Sequence, residues 1–320
     1  MAKQFVVGID VGGQTSKLGV VDARGDVLAQ AVIRTDTYGE DADAFIAALA
    51  EAVKNCVKQA DKTMEDIRGI GVGAPNGNYY TGEVAFAPNL AWAAKHAVPF
   101  AKKLSKACGV PVSLTNDANA AAVGEMAYGA ARGMKDFIMI TLGTGVGSGI
   151  VVDGKVLYGH DGFAGELGHT SVVRQNGRPC GCGKTGCLEA YCSAIGIART
   201  AREWLDATDT PSLLREYEKI TSKDIFDAAR AGDELALKLF EYTGTLLGQS
   251  FADFVAFSAP EAIVLFGGLA RAKEFLYEPM KRAMDENLLK IWKGKVQIVF
   301  SELKESDAAI LGASALAWEL

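Results

Sequence analysis

The chain reads IDVGGQTSKLGVVD at residues 9–22 and ITLGTGVGSGIVVD at residues 140–153. Each segment is an apolar stretch, a glycine-rich turn and a second apolar stretch, which predicts two strands joined by a tight turn. Ile, Gly and the final Val-Val-Asp match residue for residue, and each copy resumes with Val-Leu after a further turn. A unit used twice indicates two related halves. Two glycine turns facing one cleft could hold the phosphates of a nucleotide with backbone N–H groups. Chance similarity between glycine-rich hairpins is the alternative.

The remaining chain alternates apolar strands with amphipathic helices, which is typical of an α/β fold with a substantial sheet in each half. We expect the hinge between the halves near Thr115–Asp117. Residues 1–116 then form a small α/β lobe, to which a C-terminal helix over residues 306–320 returns. Residues 117–305 form a large α/β lobe. The first glycine turn is not a Walker loop, because a strand follows it where a Walker loop would begin a helix.

The composition limits the possible partners. The 320 residues carry a formal net charge of −6, which does not favour a nucleic-acid groove. Hydrophobic content of 49% and charged content of 22% are ordinary for a globular protein. The first residues show no secretory signal, and the longest uncharged run is rich in Gly and Thr rather than typical of a membrane span. We therefore expect a cytoplasmic protein without a membrane segment or a nucleic-acid partner.

One short segment contains a complete set of candidate metal ligands. It runs from Glu166-Leu-Gly-His169 through Cys180-Gly-Cys182 to Cys187-Leu-Glu189. One imidazole and three thiolates are the ligands of a closed, four-coordinate zinc site, and clustered cysteines in a reducing compartment favour metal over disulfide. Incidental cysteines or a disulfide are the alternatives. Glu166 and Glu189 are not needed by zinc, so we expect this metal-held loop to present them to a ligand.

Polar residues that follow strands are further candidates for a site. Asn116-Asp117 lies where a strand meets an Ala-rich helix, and ligands of open α/β sheets bind at that end of the strands. Taken alone, the pair is better explained as a helix N-cap, which is compatible with an ionised carboxylate acting as a general base. Asn89 could bind a sugar hydroxyl or anchor its loop. Gly267-Gly268 permits a nucleoside to approach, or is a simple turn. Three further cysteines are expected to be ordinary buried residues: Cys56, Cys108 and Cys192.

Taken in order, these motifs resemble the ROK family (repressor, open reading frame, kinase), and within it the ATP-dependent bacterial glucokinases. The resemblance covers essentially the whole chain, and the His169, Cys180-Gly-Cys-Gly-x-x-Gly-Cys187 and Glu189 pattern is its most specific part. It implies an actin-like ATPase (ribonuclease H-like) fold of two lobes with a central cleft. It also implies ATP, Mg²⁺ and a structural Zn²⁺ as cofactors, and a homodimer or homotetramer.

The resemblance assigns roles position by position. It implies that Asp117 is the catalytic base, with sugar contacts from Asn89, Asn116, Asp117, Glu166, His169 and Glu189. It implies that zinc is held by His169, Cys180, Cys182 and Cys187. It places the nucleotide at Asp10, Gly12, Gly13, Gln14, Thr15, Lys17, Gly143, Thr144, Gly145, Gly147, Gly267 and Gly268. Two departures from the family pattern concern Gln14, which precedes Thr15 where relatives have Thr, and Pro75-Asn76-Gly77-Asn78 in place of Pro-Gly.

The implied reaction is the transfer of the γ-phosphoryl group of ATP to the 6-hydroxyl of a hexose, with glucose the first expectation. An N-acetylhexosamine or fructose kinase is the alternative within the family. A sugar-responsive transcriptional regulator without its DNA-binding domain is a second alternative, and the acidic charge disfavours it. An assembly ATPase is a third, in which the zinc segment would have no role.

Overall fold

The computed structural model describes residues 3–320, and for residues 305 and 306 the backbone only; the first two residues of the expected small lobe lie outside this range. The strands are β1 (Phe5–Val11), β2 (Thr15–Asp22), β3 (Val27–Arg34), β4 (Ile67–Gly73), β5 (Val84–Ala85), β6 (Ala97–Val98), β7 (Val112–Thr115), β8 (Phe137–Leu142), β9 (Val146–Val152), β10 (Lys155–Val156), β11 (Ala262–Phe266) and β12 (Gln297–Phe300). The helices are α1 (Ala42–Gln59), α2 (Phe100–Cys108), α3 (Asp117–Tyr128), α4 (Glu189–Cys192), α5 (Ala194–Ala207), α6 (Ser222–Arg230), α7 (Glu234–Ser258), α8 (Lys273–Asn287) and α9 (Glu305–Leu316).

Two five-stranded mixed sheets have the same topology. The first has the order β3-β2-β1-β4-β7 and the second the order β10-β9-β8-β11-β12. In each, the two hairpin connections are antiparallel and the last three strands are parallel. The internal repeat predicted from the glycine hairpins is therefore confirmed in the topology, and the α/β architecture is consistent with an actin-like ATPase fold.

The two hairpins differ in the register of the return strand, although their sequences match residue for residue. Asp10 pairs with Lys17 in the first hairpin, and Thr141, which matches Asp10 in sequence, pairs with Gly147 in the second. Ser148 matches Lys17 in sequence, so the same register would place Ser148 opposite Thr141. The second turn is one residue shorter, so the return strand slips by one position, and in a strand such a slip exchanges the two faces.

Each sheet is covered on one face by helices of its own half and on the other by a helix that crosses between the halves. Helices α1 and α2 cover the first sheet, and α5, α7 and α8 enclose the larger core of the second. Helix α3, which follows β7 of the first sheet, packs on β8 and β9 of the second. Helix α9, which follows β12 of the second sheet, packs on β1 and β4 of the first. The two crossing helices also pack against each other.

Glycines make this crossing possible. A Cβ at Gly71 of β4 would lie 1.9 Å from the carbonyl oxygen of Ala313, and a Cβ at Gly8 of β1 would lie 2.0 Å from that of Ile310. Where the two helices meet, a Cβ at Gly124 would lie 2.6 Å from the Cα of Gly312. Backbone therefore lies directly against backbone at these points, which any side chain would prevent.

Some boundaries differ from the expected ones. The helix expected over 306–320 is α9, and a 3₁₀ turn over Ala317–Glu319 follows it. The helical chain that begins at Glu189 breaks at Ser193 into α4 and α5. Ser193 is extended, and its hydroxyl accepts a hydrogen bond from the Gly196 N–H at 2.9 Å, so it caps α5. Among the helices of residues 3–320, none is both long and apolar enough to cross a membrane.

We predict that Gly71→Ala lowers the free energy of unfolding by about 3 kcal/mol, because the new methyl group would overlap the α9 backbone. Denaturant unfolding measures the change. Gly69→Ala on the same strand is the matched control, since its nearest neighbour is the flexible end of the Leu320 side chain at 2.6 Å. Equal losses in the two variants would contradict the close approach of α9.

Candidate active site

A cleft of about 680 Å³ lies between the two halves and collects most of the predicted site residues. It opens at the carboxyl ends of β8 and β11, where ligands of open α/β sheets bind. The predicted residues that line it are Asn89, Asp117, Gly143, Thr144, Gly145, Gly147, Glu166, His169, Cys180, Glu189 and Gly267. The lining does not include Asp10, Gly12, Gly13, Gln14, Thr15, Lys17, Asn116 and Gly268.

Asp117 stands at the first turn of α3, on the floor of the cleft. Its Oδ1 accepts a hydrogen bond from the Ala118 N–H at 2.8 Å. The Asn116 Oδ1 accepts from the same N–H at 2.8 Å, so Asn116 is the N-cap and Asp117 projects toward the cleft. The Asp117 side chain is open to solvent in the cleft but surrounded by the protein beneath it, and this burial raises its pKa. A carboxylate with a raised pKa is better matched to proton abstraction near neutral pH.

Asp10 faces Asp117 across a second, smaller cavity. This cavity of about 200 Å³ adjoins the cleft, and Asp117, Thr141 and Phe266 line both. Burial, followed by the negative charge of Asp117, raises the pKa of Asp10 to about 6, while its cross-strand neighbour Lys17 opposes the shift. A second carboxylate close enough to raise the pKa of Asp10 makes an arrangement that favours a cation.

The first glycine turn lies beside the cleft. The Gly12 N–H donates to the Thr15 carbonyl at 3.1 Å, which closes the turn. A Cβ at Gly13 would lie 2.7 Å from the Asn89 carbonyl oxygen, so this turn packs against the loop that carries Asn89. Gln14 and Lys17 are exposed. The turn is therefore held against the candidate sugar residue, with its polar side chains toward solvent.

The second glycine turn is held by the cysteine-rich segment. The Glu189 Oε2 accepts from the Val146 N–H at 2.9 Å, and a Cβ at Gly145 would lie 2.4 Å from the same oxygen. The Gly147 N–H donates to the Thr141 Oγ1 at 3.1 Å. The Gly143 N–H donates to the Gly145 carbonyl at 3.0 Å. Glu189 thus fixes the turn through its carboxylate while it lines the cleft.

Glu166, His169 and Glu189 form one polar wall. The His169 Nε2 lies 3.9 Å from the Glu166 Oε2. Burial is the main cause of the raised pKa of Glu166; the negative charges of Asp117 and Glu189 raise it further, and His169 opposes them. The wall therefore presents acceptor oxygens close to Asp117, as hydroxyl groups of a polyol require.

The thiols of Cys180, Cys182 and Cys187 converge with the imidazole of His169. Their ligand atoms all lie within 4.8 Å of one another. The Cys182 and Cys187 sulfurs are 3.7 Å apart, as are the Cys180 sulfur and the His169 Nδ1. Four zinc ligands at bond lengths of about 2.0–2.3 Å in a tetrahedron would be separated by roughly 3.5–3.8 Å, so the donor set fits zinc in both chemistry and size. His169 turns Nδ1 to this cluster and Nε2 to Glu166.

Gly267 and Gly268, the glycine pair after β11, differ in their surroundings. Gly267 has φ +107, and a Cβ there would lie 2.5 Å from the Leu142 carbonyl oxygen, so it closes the cleft beside the second turn. Gly268 precedes the 3₁₀ turn Leu269–Ala272 and has open space where a Cβ would stand.

Sequence reasoning missed Thr141, Ser193 and Arg199, which line the cleft. Thr141 aligns with Asp10 in the repeated hairpins, and this alignment could have identified it as a site residue. Ser193 begins a run of helical periodicity, as N-caps do. For Arg199 the sequence holds no such signal.

Two mixed sheets, crossing helices and one polar cleft define a two-lobed α/β protein consistent with the actin-like ATPase class. The ROK family model matches residues 6–319, and the chain belongs to the ROK family. The chain is 40% identical over 287 residues to a glucokinase of Halalkalibacterium halodurans, which is 88% of this chain and 86% of that one. It is 36% identical over 322 residues to a glucokinase of Thermotoga maritima, covering 99% and 98% of the two chains. The crystal structure of a ROK family glucokinase from Streptomyces griseus in complex with glucose and AMPPNP superimposes with a TM-score of 0.80 at 33% identity, covering 99% of this chain and 100% of that one.

We predict that Asp10→Asn raises the free energy of unfolding by about 3 kcal/mol at pH 8 without nucleotide or Mg²⁺. The raised pKa means that the folded state binds the proton more tightly than the unfolded state. The ionised Asp10 therefore lowers the free energy of unfolding of the wild type by its full amount above pH 6, and this loss disappears below about pH 4. The stability gained by the variant follows the same pH dependence. Denaturant unfolding at pH 8 and pH 4 measures it.

Asp66→Asn is the control of opposite sign, because hydrogen bonds from the Thr63 N–H and hydroxyl lower the pKa of this surface carboxyl. It should destabilise the protein at pH 8 and have little effect at low pH. A gain for Asp10→Asn that is the same at both pH values would contradict the assigned cause.

Proposed function

We propose that this protein phosphorylates a hexose at its 6-hydroxyl with ATP, and that glucose is the substrate, giving glucose 6-phosphate and ADP. The observation that carries the proposal is the composition of the cleft: Asp117, the Glu166–His169–Glu189 wall and the second glycine turn share one cavity. The similarity to the glucokinases of Halalkalibacterium and Thermotoga supports the choice of sugar and of donor.

Asp117 is the general base of the proposed reaction. Its carboxylate accepts the proton of the sugar 6-hydroxyl as the oxygen attacks the γ-phosphorus of ATP, and ADP leaves. The raised pKa of Asp117 increases its basicity while leaving it ionised above that pKa. Phosphoryl transfer has a loose transition state, so positioning and charge stabilisation carry most of the catalysis and the base need not be strong.

In this proposal the sugar binds in the cleft, and the nucleotide extends from the second glycine turn, which lines the cleft, to the first glycine turn beside it. Asn89, Asn116, Glu166, His169 and Glu189 bind sugar hydroxyls. The nucleotide phosphates lie at the glycine turns, Gly12–Thr15 and Gly143–Gly147, with Lys17 and Gly267-Gly268 beside them. Mg²⁺ neutralises phosphate charge when bound, and Asp10 would hold it directly or through water. The effect of the Asp117 charge on the pKa of Asp10 supports a cation at this place.

Zinc has a structural role in the proposal. His169, Cys180, Cys182 and Cys187 hold it, and four protein ligands leave no open position for a substrate. A neutral His169 that binds the metal through Nδ1 keeps Nε2 for hydrogen bonding in the cleft. The metal would thereby fix the wall against which the sugar binds.

The compartment and the assembly complete the proposal. ATP and thiol-ligated zinc are both compatible with a reducing cytoplasm. The family resemblance implies a homodimer or homotetramer, and light scattering of the purified protein would measure which one forms.

The test measures ADP release from ATP with a panel of hexoses, including fructose, N-acetylglucosamine and N-acetylmannosamine. We expect glucose to give the highest kcat/KM, and Asp117→Asn to lower kcat by roughly 10²–10⁴-fold while sugar binding persists. Preference for an N-acetylhexosamine would contradict glucose as the substrate but not the kinase. Sugar binding without ADP release from any member of the panel would contradict the kinase and favour a regulator.

We predict that Cys182→Ser lowers zinc content and sugar affinity together, because the loss of one thiolate loosens the loop between His169 and Glu189. Metal analysis and the sugar KM are the two measurements. Cys108→Ser, which alters a buried thiol outside the cluster, should leave both unchanged. Full zinc content with a normal KM in Cys182→Ser would refute the structural role.

A further inference from the structure

A buried amide side chain bridges the two halves. Asn78 lies in the loop after β4 and is 6% exposed. Its Nδ2 donates to the Asp161 carbonyl oxygen of the other half at 2.6 Å. Its Oδ1 accepts from the backbone N–H groups of Tyr80 and Thr81 at 3.0 and 3.2 Å. The Asn78 side chain therefore holds its own loop and also hydrogen-bonds to the backbone of the opposite half.

Aromatic contacts surround this bridge. The rings of Tyr79 and Tyr158 stack with centroids 4.1 Å apart and planes 4° apart. The Tyr80 hydroxyl donates to the Gly159 carbonyl at 3.0 Å. A Cβ at Gly162, which has φ +90, would lie 2.6 Å from the Asn78 Nδ2. The segment 158–162 is thus held to the first half at three places.

This segment leads directly into Glu166. Gly162 and Gly165 both have positive φ, a backbone conformation that other residue types avoid, and they flank Phe163 and Ala164. Ser148 of β9 holds the far end: its hydroxyl donates to the Gly165 carbonyl and accepts from the Leu167 N–H at 3.0 Å. The Glu166 carboxylate itself is exposed in the cleft, beside the His169 Nε2. Its placement therefore depends on the two anchors, Asn78 on one side and Ser148 on the other.

We propose that Asn78 is a positioning residue that sets sugar affinity by fixing the segment that carries Glu166. The inference rests on the proposed function, since Glu166 is there a sugar ligand. Without the Asn78 bond, the glycine-flanked segment gains conformational freedom that sugar binding must remove, and that cost falls on binding rather than on phosphoryl transfer. Asn78 touches neither the transferred group nor the base, so kcat should be affected little.

Asn78→Asp isolates the interlobe bond. The carboxylate keeps the shape and can still accept from the Tyr80 and Thr81 N–H groups, but it has no proton to donate to the Asp161 carbonyl. We expect the sugar KM to rise about tenfold, which converts to about 1.4 kcal/mol, with the ATP KM and kcat changed less than threefold.

Asn76→Asp is the matched control. The Asn76 Nδ2 donates to the Ala85 and Phe86 carbonyls at 3.1 and 2.9 Å, so this variant makes the same chemical change two residues away but breaks bonds within one half only. Its sugar KM should stay within twofold of the wild type. Equal sugar KM values for the two variants, or equal rises of the sugar and ATP KM in Asn78→Asp, would overturn the proposal.

A double-mutant cycle tests the route through Glu166. In a Glu166→Gln background, Asn78→Asp should raise the sugar KM less than threefold, because the side chain that it positions is already impaired. Full additivity of the two changes would overturn the assigned route. If Asn78→Asp does not fold, Tyr80→Phe removes the neighbouring bond to Gly159 and should raise the sugar KM about threefold; an unchanged KM counts against the inference.

The two levels of the proposal fail differently. If the wild type releases no ADP with any sugar of the panel, the proposed kinase is overturned, and this inference with it. A wild type that is active while Asn78→Asp keeps a normal sugar KM overturns this inference alone.

Discussion

The crossing of α3 and α9 is the constraint on which the cleft depends. Each helix follows the sheet of one half and packs on the sheet of the other, and at Gly124 and Gly312 the two backbones lie in direct contact. Because packed interiors do not deform continuously, α3 has a fixed position relative to both sheets. Asp117 is its first residue. The candidate base therefore stands on an element shared by the two halves, and the surrounding loops are placed around it.

The cleft concentrates negative charge in a protein that is already acidic. Burial and then the charge of Asp117 raise the pKa of Asp10 across the small cavity. Burial and the charges of Asp117 and Glu189 raise the pKa of Glu166. Such repulsion destabilises the empty protein and is relieved by a bound cation or by hydroxyl donors. Glu189 is the exception, since its Oε2 accepts from the Val146 N–H and its Oε1 faces the Cys180 sulfur. It joins the cysteine-rich segment to the second glycine turn, so order in one is transmitted to the other.

The sequence predicts the features that depend on residues close together along the chain. The repeated hairpins predict the duplicated sheets, and the His and Cys spacing predicts the convergent ligand cluster, because both depend on neighbours along the chain. The sequence could not decide which residue of Asn116-Asp117 caps helix α3, since both types are acceptable caps. In the structure Asn116 is the cap, and Asp117 projects toward the cleft. The bridge from Asn78 to Asp161 spans 83 positions. No pattern encodes such a contact, because it exists only once the two lobes are placed against each other.

The slip between the two hairpins shows how one duplicated unit came to supply two kinds of chemistry. In the first copy, the charged pair Asp10 and Lys17 faces across the ladder beside a turn whose side chains are exposed. In the second copy the turn is one residue shorter, and the same place holds Thr141 opposite Gly147. A side chain at 147 would collide with the Thr141 hydroxyl at 2.7 Å, so glycine keeps this turn narrow and its N–H groups close to the cleft. The first copy therefore places a charged pair at this position. The second places a threonine hydroxyl there, which accepts a hydrogen bond from the Gly147 N–H.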